Sequence, residues 1–274
     1  MSDSVSLSHL LSVCVQIAEE GGRTIRRFHE HEEGMETYHK CHIEYNPVTL
    51  ADYTNQKTMD DALKTYLPQF EMIGEEDPSD YMHLDATMSP DDIITDLIPE
   101  ELLASRIAER ADLIPEHLRD EIDQDPLTVS PLNAGIYVDP LDGTKDFVAG
   151  RVQNVTCLVG VAINERSKIG VVHKPYAEGP DCKTGVTYFG SLETGLFRAH
   201  WDPTWTEEEK RERNFEYIEP LEHKELGDDE NFNVIVTASK LDDKAHKVID
   251  SFEPCTYSQL AGAGNKMTNV YMGK

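Results

Sequence analysis

Residues 136–148 read Ile-Tyr-Val-Asp-Pro-Leu-Asp-Gly-Thr-Lys-Asp-Phe-Val. The apolar run Ile136–Val138 predicts a strand that leads straight into Asp139. Pro140 has no N–H to give a sheet ladder and a fixed φ, so the strand is expected to end there. Gly143 then permits a tight turn and Thr144 adds a hydroxyl. Asp139 and Asp142 are thereby set on a stiff turn at a strand's end, an arrangement that suits a hard cation. Mg²⁺ takes near-octahedral oxygen ligands, usually one or two carboxylates completed by waters and substrate phosphate. The Leu141 carbonyl is a further candidate ligand. Asp-Pro and Asp-Gly are also plain turn signals, and either dipeptide alone would say no more than that.

Two upstream pieces belong with this stretch. Thr49-Leu50-Ala51-Asp52 opens a helix whose apolar positions are Met59, Ala62, Leu63 and Tyr66 and which Pro68 stops. Asp52 near its start fits a cap, where a carboxylate is favoured by the helix dipole. Phe70–Ile73 predicts a short strand, followed by the acidic run Glu75, Glu76, Asp77. Ahead of both, residues 7–30 carry Leu10, Cys14, Ile17, Gly21, Ile25 and Phe28 at helical spacing. Gly21-Gly22 costs helix stability and marks close packing against a neighbour, whereas Arg23, Arg26 and Arg27 read as a solvated face.

Downstream, residues 155–163, 168–173 and 187–197 are rich in β-branched and aromatic residues and predict a mainly antiparallel meander. Asn164-Glu165-Arg166-Ser167 serves as a hairpin connection. Residues 201–231 read as a charged loop or short helix, 234–236 as a strand, and 242–251 as a helix. Ala261-Gly262-Ala263-Gly264-Asn265-Lys266 is a glycine-rich turn into a last helix. Such a turn presents backbone N–H groups to an anion, with Lys266 adding a point charge. Residues 78–133 are acidic, cut by prolines, and helical in pattern at 100–111.

The chain of 274 residues carries 25 Lys+Arg against 52 Asp+Glu, a formal charge of −27. That balance argues against a nucleic-acid polymer or an anionic membrane as partner. It also means that a phosphorylated substrate needs bound cations to reverse the local field. The cysteines Cys14, Cys41, Cys157, Cys182 and Cys255 are scattered, with no C-x-x-C pair. They read as reduced thiols of a cytoplasmic protein. The N-terminal residues lack the pattern of a signal peptide, and no apolar run is long enough to span a bilayer.

Thr49-Leu50-Ala51-Asp52, Ile73-Gly74-Glu75-Glu76-Asp77 and Asp139-Pro140-Leu141-Asp142-Gly143-Thr144, in this order and spacing, resemble the inositol monophosphatase superfamily. The form Asp-Pro-Leu-Asp-Gly-Thr-Lys-Asp-Phe, with Asn154-Val155-Thr156, looks most like its 3'(2'),5'-bisphosphate nucleotidase branch. The resemblance implies a layered α-β-α-β-α sandwich, a mixed α/β (α+β) fold of the inositol monophosphatase/fructose-1,6-bisphosphatase type. It implies a phosphomonoesterase using two or three Mg²⁺ ions, with Li⁺ as inhibitor. Glu75, Asp139, the Leu141 carbonyl and Asp142 would hold the metal. Asp52 and Thr144 would manage the attacking water, and Gly143, Thr144, Ser239, Lys240, Gly264 and Lys266 would border the substrate.

The expected substrate is a small phosphorylated molecule, 3'-phosphoadenosine 5'-phosphate first, hydrolysed to AMP and phosphate. An inositol polyphosphate 1-phosphatase or inositol monophosphatase activity is the alternative within the class, and a homodimer is possible. The resemblance also has two departures. The family's Trp-Asp-x-x-Ala segment, which carries another metal ligand, does not follow the Gly262–Lys266 turn within the 274 residues. The sequence therefore resembles a member lacking its C-terminal portion. Residues 1–200 would be an N-terminal α+β domain with the metal site and a helical insertion at 78–133, and 201–274 a partial C-terminal α/β domain. A non-catalytic, truncated metal-binding fragment is the contrasting reading. The branch's Arg-Ser-His is here Lys240-Leu241-Asp242, which bears on purine recognition.

Overall fold

A computed structural model describes residues 4–30, 37–39, 47–82, 93–114, 116, 119, 127–132, 134–177, 181–220, 232–237, 241, 243–251 and 255–272. In chain order, β1 (Val5–Ser6) precedes α1 (Leu7–Glu30), β2 (Thr37–His39), β3 (Pro47–Thr49), α2 (Leu50–Tyr66) and β4 (Glu71–Gly74). Then come α3 (Pro78–Tyr81), α4 (Glu100–Arg110), β5 (Thr128–Val129), β6 (Ala134–Asp142) and α5 (Thr144–Val148). A meander follows: β7 (Thr156–Ile163), β8 (Arg166–Lys174), β9 (Gly185–Ser191) and β10 (Gly195–Trp201). After it lie α6 (Glu207–Glu212), β11 (Phe215–Ile218), β12 (Phe232–Thr237), α7 (Asp243–Asp250), β13 (Cys255–Leu260) and α8 (Ala263–Tyr271).

Among the described residues the main sheet has seven strands in the order β11-β10-β9-β8-β7-β6-β4. Every neighbouring pair is antiparallel except β4 with β6, which is parallel in the register Glu71 to Gly135 through Gly74 to Val138. Period-two alternation sorts the strands. Cys157, Val159, Val161 and Ile163 of β7 are buried on the face covered by α1, with α2 packed on the neighbouring β6, while Leu158, Gly160 and Ala162 point to the other face. There α8 crosses Leu158 and Thr156. β12 and β13 form a separate parallel pair. The result is a layered α/β sandwich, as the family resemblance implies; the sequence pattern by itself predicts the antiparallel strands in its middle.

α1 is more buried than an amphipathic stripe predicts, because it is covered on two sides. Towards the sheet, Gly22 lies against the ring of His173, where a Cβ would come within 2.3 Å of Nε2. Away from it, the segment Ile94–Ile98 is hydrogen-bonded by Ser8, Ser12 and Gln16. Glu19 is buried with Arg213 at 2.7 Å and accepts from Thr187 Oγ1 at 2.8 Å. Arg26 is also buried: it donates to the Pro175 and Cys182 carbonyls and stacks on Tyr176. Arg26 is therefore a packing residue rather than part of a solvated face.

Four further differences have local causes. β6 continues through Pro140 to Asp142, because a bulge between Asp139 and Asp142 absorbs the missing N–H. The run 187–197 is two strands, turned by Ser191–Thr194, whose hydroxyls replace backbone partners at the corner. β11 extends the large sheet beyond residue 200, so that sheet draws its boundary at Ile218. α4 packs on α1 and β10 at the end of the sheet opposite β4 and β6, away from the acidic turn. The connection at 164–165 is a two-residue turn with positive φ at both Asn164 and Glu165.

Candidate active site

The site is assembled where β4 and β6 end side by side. Thr49 is the N-cap of α2, and Asp52, one turn on, accepts from Thr49 N–H at 2.8 Å and Thr49 Oγ1 at 2.6 Å. The cap reading is thus correct. The other oxygen, Oδ1, faces Thr144 Oγ1 at 3.1 Å. Asp52 is buried, and burial pushes its carboxyl up to about 7, with Glu76 adding to the rise and the Thr49 and Thr144 hydrogen bonds opposing it. Thr144 opens α5 directly after Gly143, whose φ of 99° lies in the left-handed region open to glycine. The Thr144 hydroxyl also lies 3.2 Å from the Leu141 carbonyl, giving it a second acceptor.

Asp139 lies beside Glu75 across the parallel β4–β6 pair. Burial, then the charges of Glu75 and Asp142, hold the Asp139 carboxyl well above the usual carboxylate range, and a hydrogen bond joins it to Glu75. The Leu141 N–H donates to Asp139 Oδ1 at 3.2 Å, which stiffens the turn. The Pro140 carbonyl is held from below by Asn55 Nδ2 and by Cys157 Sγ.

Asp142 has a different environment from the one its spacing predicts. Its oxygens accept from Ala263 N–H at 2.9 Å, Gly264 N–H at 2.8 Å and Thr156 Oγ1 at 2.7 Å. The anion met by the glycine-rich turn is therefore Asp142 itself. Asn265 ties the same turn down: it donates to Asn154 Oδ1 at 3.4 Å and accepts from Lys174 Nζ at 2.7 Å. Asn154 in turn reaches Asp146, the partner of Arg151. The Lys266 N–H donates to the Gly262 carbonyl. Ser239, Lys240 and Asp242 lie outside the described residues.

The donor set fits a hard divalent cation in its chemistry, being oxygen throughout, with the charges of Glu75 and Asp142 beside the Asp139 carboxyl. Among the described residues, no three His, Cys, Asp or Glu side chains converge closely enough to hold an ion as they stand. Asp142 is turned to α8 rather than to Asp139 and Glu75.

Comparisons with known proteins put this layered sandwich, with its carboxylates at a strand's end, in the class of phosphoric monoester hydrolases. The chain belongs to the inositol monophosphatase family, whose description matches residues 6–250. It is 25% identical over 277 aligned positions to 3'(2'),5'-bisphosphate nucleotidase 1 of Homo sapiens, covering 100% of this chain and 75% of that protein. The protein of that name in Mus musculus is 26% identical over 82% of this chain and 60% of its own length. Among solved structures, a staphylococcal inositol monophosphatase complexed with products superposes with a TM-score of 0.58 at 15% identity, over 98% of this chain and 73% of the other. Among the described residues no helix is long and apolar enough to cross a membrane.

Proposed function

We propose that this chain is a Mg²⁺-dependent 3'(2'),5'-bisphosphate nucleotidase, hydrolysing 3'-phosphoadenosine 5'-phosphate to AMP and phosphate in a reducing, cytoplasmic setting. The observation that carries the reading is the Asp52–Thr144 pair. A buried carboxyl held near 7 and hydrogen-bonded to a hydroxyl is a general base matched to neutral pH. The names of the most similar relatives support the nucleotide as substrate.

Glu75, Asp139, the Leu141 carbonyl and Asp142 are the residues that would hold Mg²⁺, which when bound acidifies a water and neutralises phosphoryl oxygens. Thr144 orients the attacking water through its hydroxyl, and Asp52 accepts the proton that Thr144 relays. Gly143 lets Thr144 stand at the head of α5 with its hydroxyl on Asp52. The N-terminal turn of α8, with Gly264 and Lys266, and the segment at Ser239 and Lys240 are assigned to the substrate side.

The test is phosphate release by this chain in Mg²⁺, with 3'-phosphoadenosine 5'-phosphate and inositol 1,4-bisphosphate side by side, each with and without Li⁺. Lithium-sensitive release from the nucleotide is the expected result. Release from the inositol phosphate alone would assign an inositol polyphosphate phosphatase instead. No release by folded chain would favour a metal-binding, non-catalytic protein.

A further inference from the structure

Among the described residues β4 is an edge strand of the large sheet. Its pairing with β6 continues one residue beyond the strand, where the Glu75 N–H donates to the Val138 carbonyl at 3.1 Å. On its open side stands a side-chain amide. Gln56 Nε2 donates to the Glu76 carbonyl at 2.8 Å, and Gln56 Oε1 accepts from the Glu76 N–H at 2.8 Å. The amide thus makes the pair of bonds that one residue of an adjoining strand would make. Gln56 is completely buried. Its fit also dictates residue 74, since a Cβ on Gly74 would lie 2.0 Å from Gln56 Nε2.

Gln56 lies four residues after Asp52 on α2, so both emerge from one face of the helix. One face therefore delivers the candidate base and the amide that fixes the acidic loop. We propose that Gln56 is a positioning residue for Glu75. By anchoring the peptide of Glu76, while Val138 anchors that of Glu75, it aims an exposed carboxylate at Asp139 rather than into solvent. The inference rests on Glu75 being a metal ligand, as proposed above. Partners that orient ligands typically change metal affinity by about 10–100-fold when removed.

The fold supplies its own control. Gln16 makes the same two bonds with Ile94, from Nε2 to the carbonyl at 2.8 Å and from the N–H to Oε1 at 3.0 Å, beneath α1 and apart from the acidic turn. The experiment is titration calorimetry with Mg²⁺ on the wild type, Gln56→Met, Glu75→Gln, the double variant and Gln16→Met, with thermal unfolding alongside. Gln56→Met is expected to weaken Mg²⁺ about tenfold in the wild-type background and hardly at all in the Glu75→Gln background. Gln16→Met is expected to lower the melting temperature and leave the Mg²⁺ affinity unchanged.

An equal effect of Gln56→Met in both backgrounds, or an equal effect of Gln16→Met on affinity, would make the clamp merely structural and overturn the inference. Glu75→Gln weak and Gln56→Met normal would overturn it while leaving the ligand assignment standing. Glu75→Gln binding as wild type would overturn both. If Gln56→Met does not fold, reciprocity gives a second reading on the unaltered chain. Saturating Mg²⁺ should slow hydrogen exchange of the Glu76 amide about tenfold, to match the affinity change expected above, and unchanged exchange would overturn the inference.

Discussion

Replacing Asp52 by asparagine should make the protein more stable and far less active, with the stability gain absent at about pH 4, growing as pH rises and complete above about pH 7. Asp52 is 2% exposed, and burial pushes its carboxyl from 3.8 to about 7. The raised value means that between those limits the fold holds a proton that the unfolded chain has released. Wild-type stability therefore falls as pH rises through that window and levels off above it. At about 1.4 kcal/mol per pKa unit, ionised Asp52 costs the fold up to ~4 kcal/mol at pH 8. Asparagine fits the same contacts: its oxygen accepts from Thr49, and its amide donates to Thr144, whose hydroxyl turns to the Leu141 carbonyl. The Thr49 and Thr144 bonds already oppose the rise to about 7, so the net gain is up to ~4 kcal/mol at pH 8 and almost none at pH 4. For a chain of this size the gain is a rise of roughly 8–16 °C in Tm. The assay is thermal unfolding in chelator at the two pH values, with phosphate release in Mg²⁺ alongside. Turnover should drop at least ~10²-fold as the general base is lost. A variant less stable than wild type at pH 8, or separated from it by the same margin at both pH values, would refute the reasoning.

Gly264→Ala would place a Cβ 2.5 Å from Thr156 Oγ1 and 2.6 Å from Leu158 Cδ2. α8 should lift from Asp142 at a cost of about 1–3 kcal/mol, read as a lower Tm and faster hydrogen exchange at Ala263 and Gly264. Arg213→Met leaves Glu19 buried without its guanidinium and should cost about 3–5 kcal/mol in urea unfolding; a loss under 1 kcal/mol would contradict the burial of the pair. Burial pushes the Cys14 thiol up to about 12 and Cys157 higher still. Brief alkylation of native protein followed by peptide mapping should therefore mark Cys182 and Cys255 but spare Cys14 and Cys157, and should mark all four in urea.

The parts of the site legible in the sequence are those in which residue type and spacing act locally. Asp139, Gly143 and Thr144 lie on one turn and Asp52 at one helix start, so local spacing places each on its element, whereas the meeting of Asp52 with Thr144 follows from the family resemblance alone. Asp142 was legible as a residue but not in its contacts, because its partners Ala263 and Gly264 arrive from the far end of the chain. The course of β6 through Pro140 was hidden for a similar reason: a bulge is defined by the partner strand, and a proline reads as a stop without it. Gln56 is not marked by its residue type; its place four residues after Asp52 on a buried helix face is the signal that the sequence holds. Arg26 reads as solvated in the sequence because a charged residue's burial depends on carbonyls that the fold alone supplies. The β9–β10 turn was lost inside an apolar run because Ser191 and Thr194 make it with side chains.

The order of strands in the main sheet has a kinetic consequence. From β6 to β11 the neighbours in space are neighbours in sequence, so this meander can form hairpin by hairpin with little loop-closure entropy. The pairing of Glu71 with Gly135 is different, since the whole of α3, α4 and β5 must first be looped out. Contacts of that range form late and slowly. Glu75 and Asp139 meet across this junction and no other, so the acidic turn should acquire its geometry in the closing phase of folding, after most of the sheet already stands.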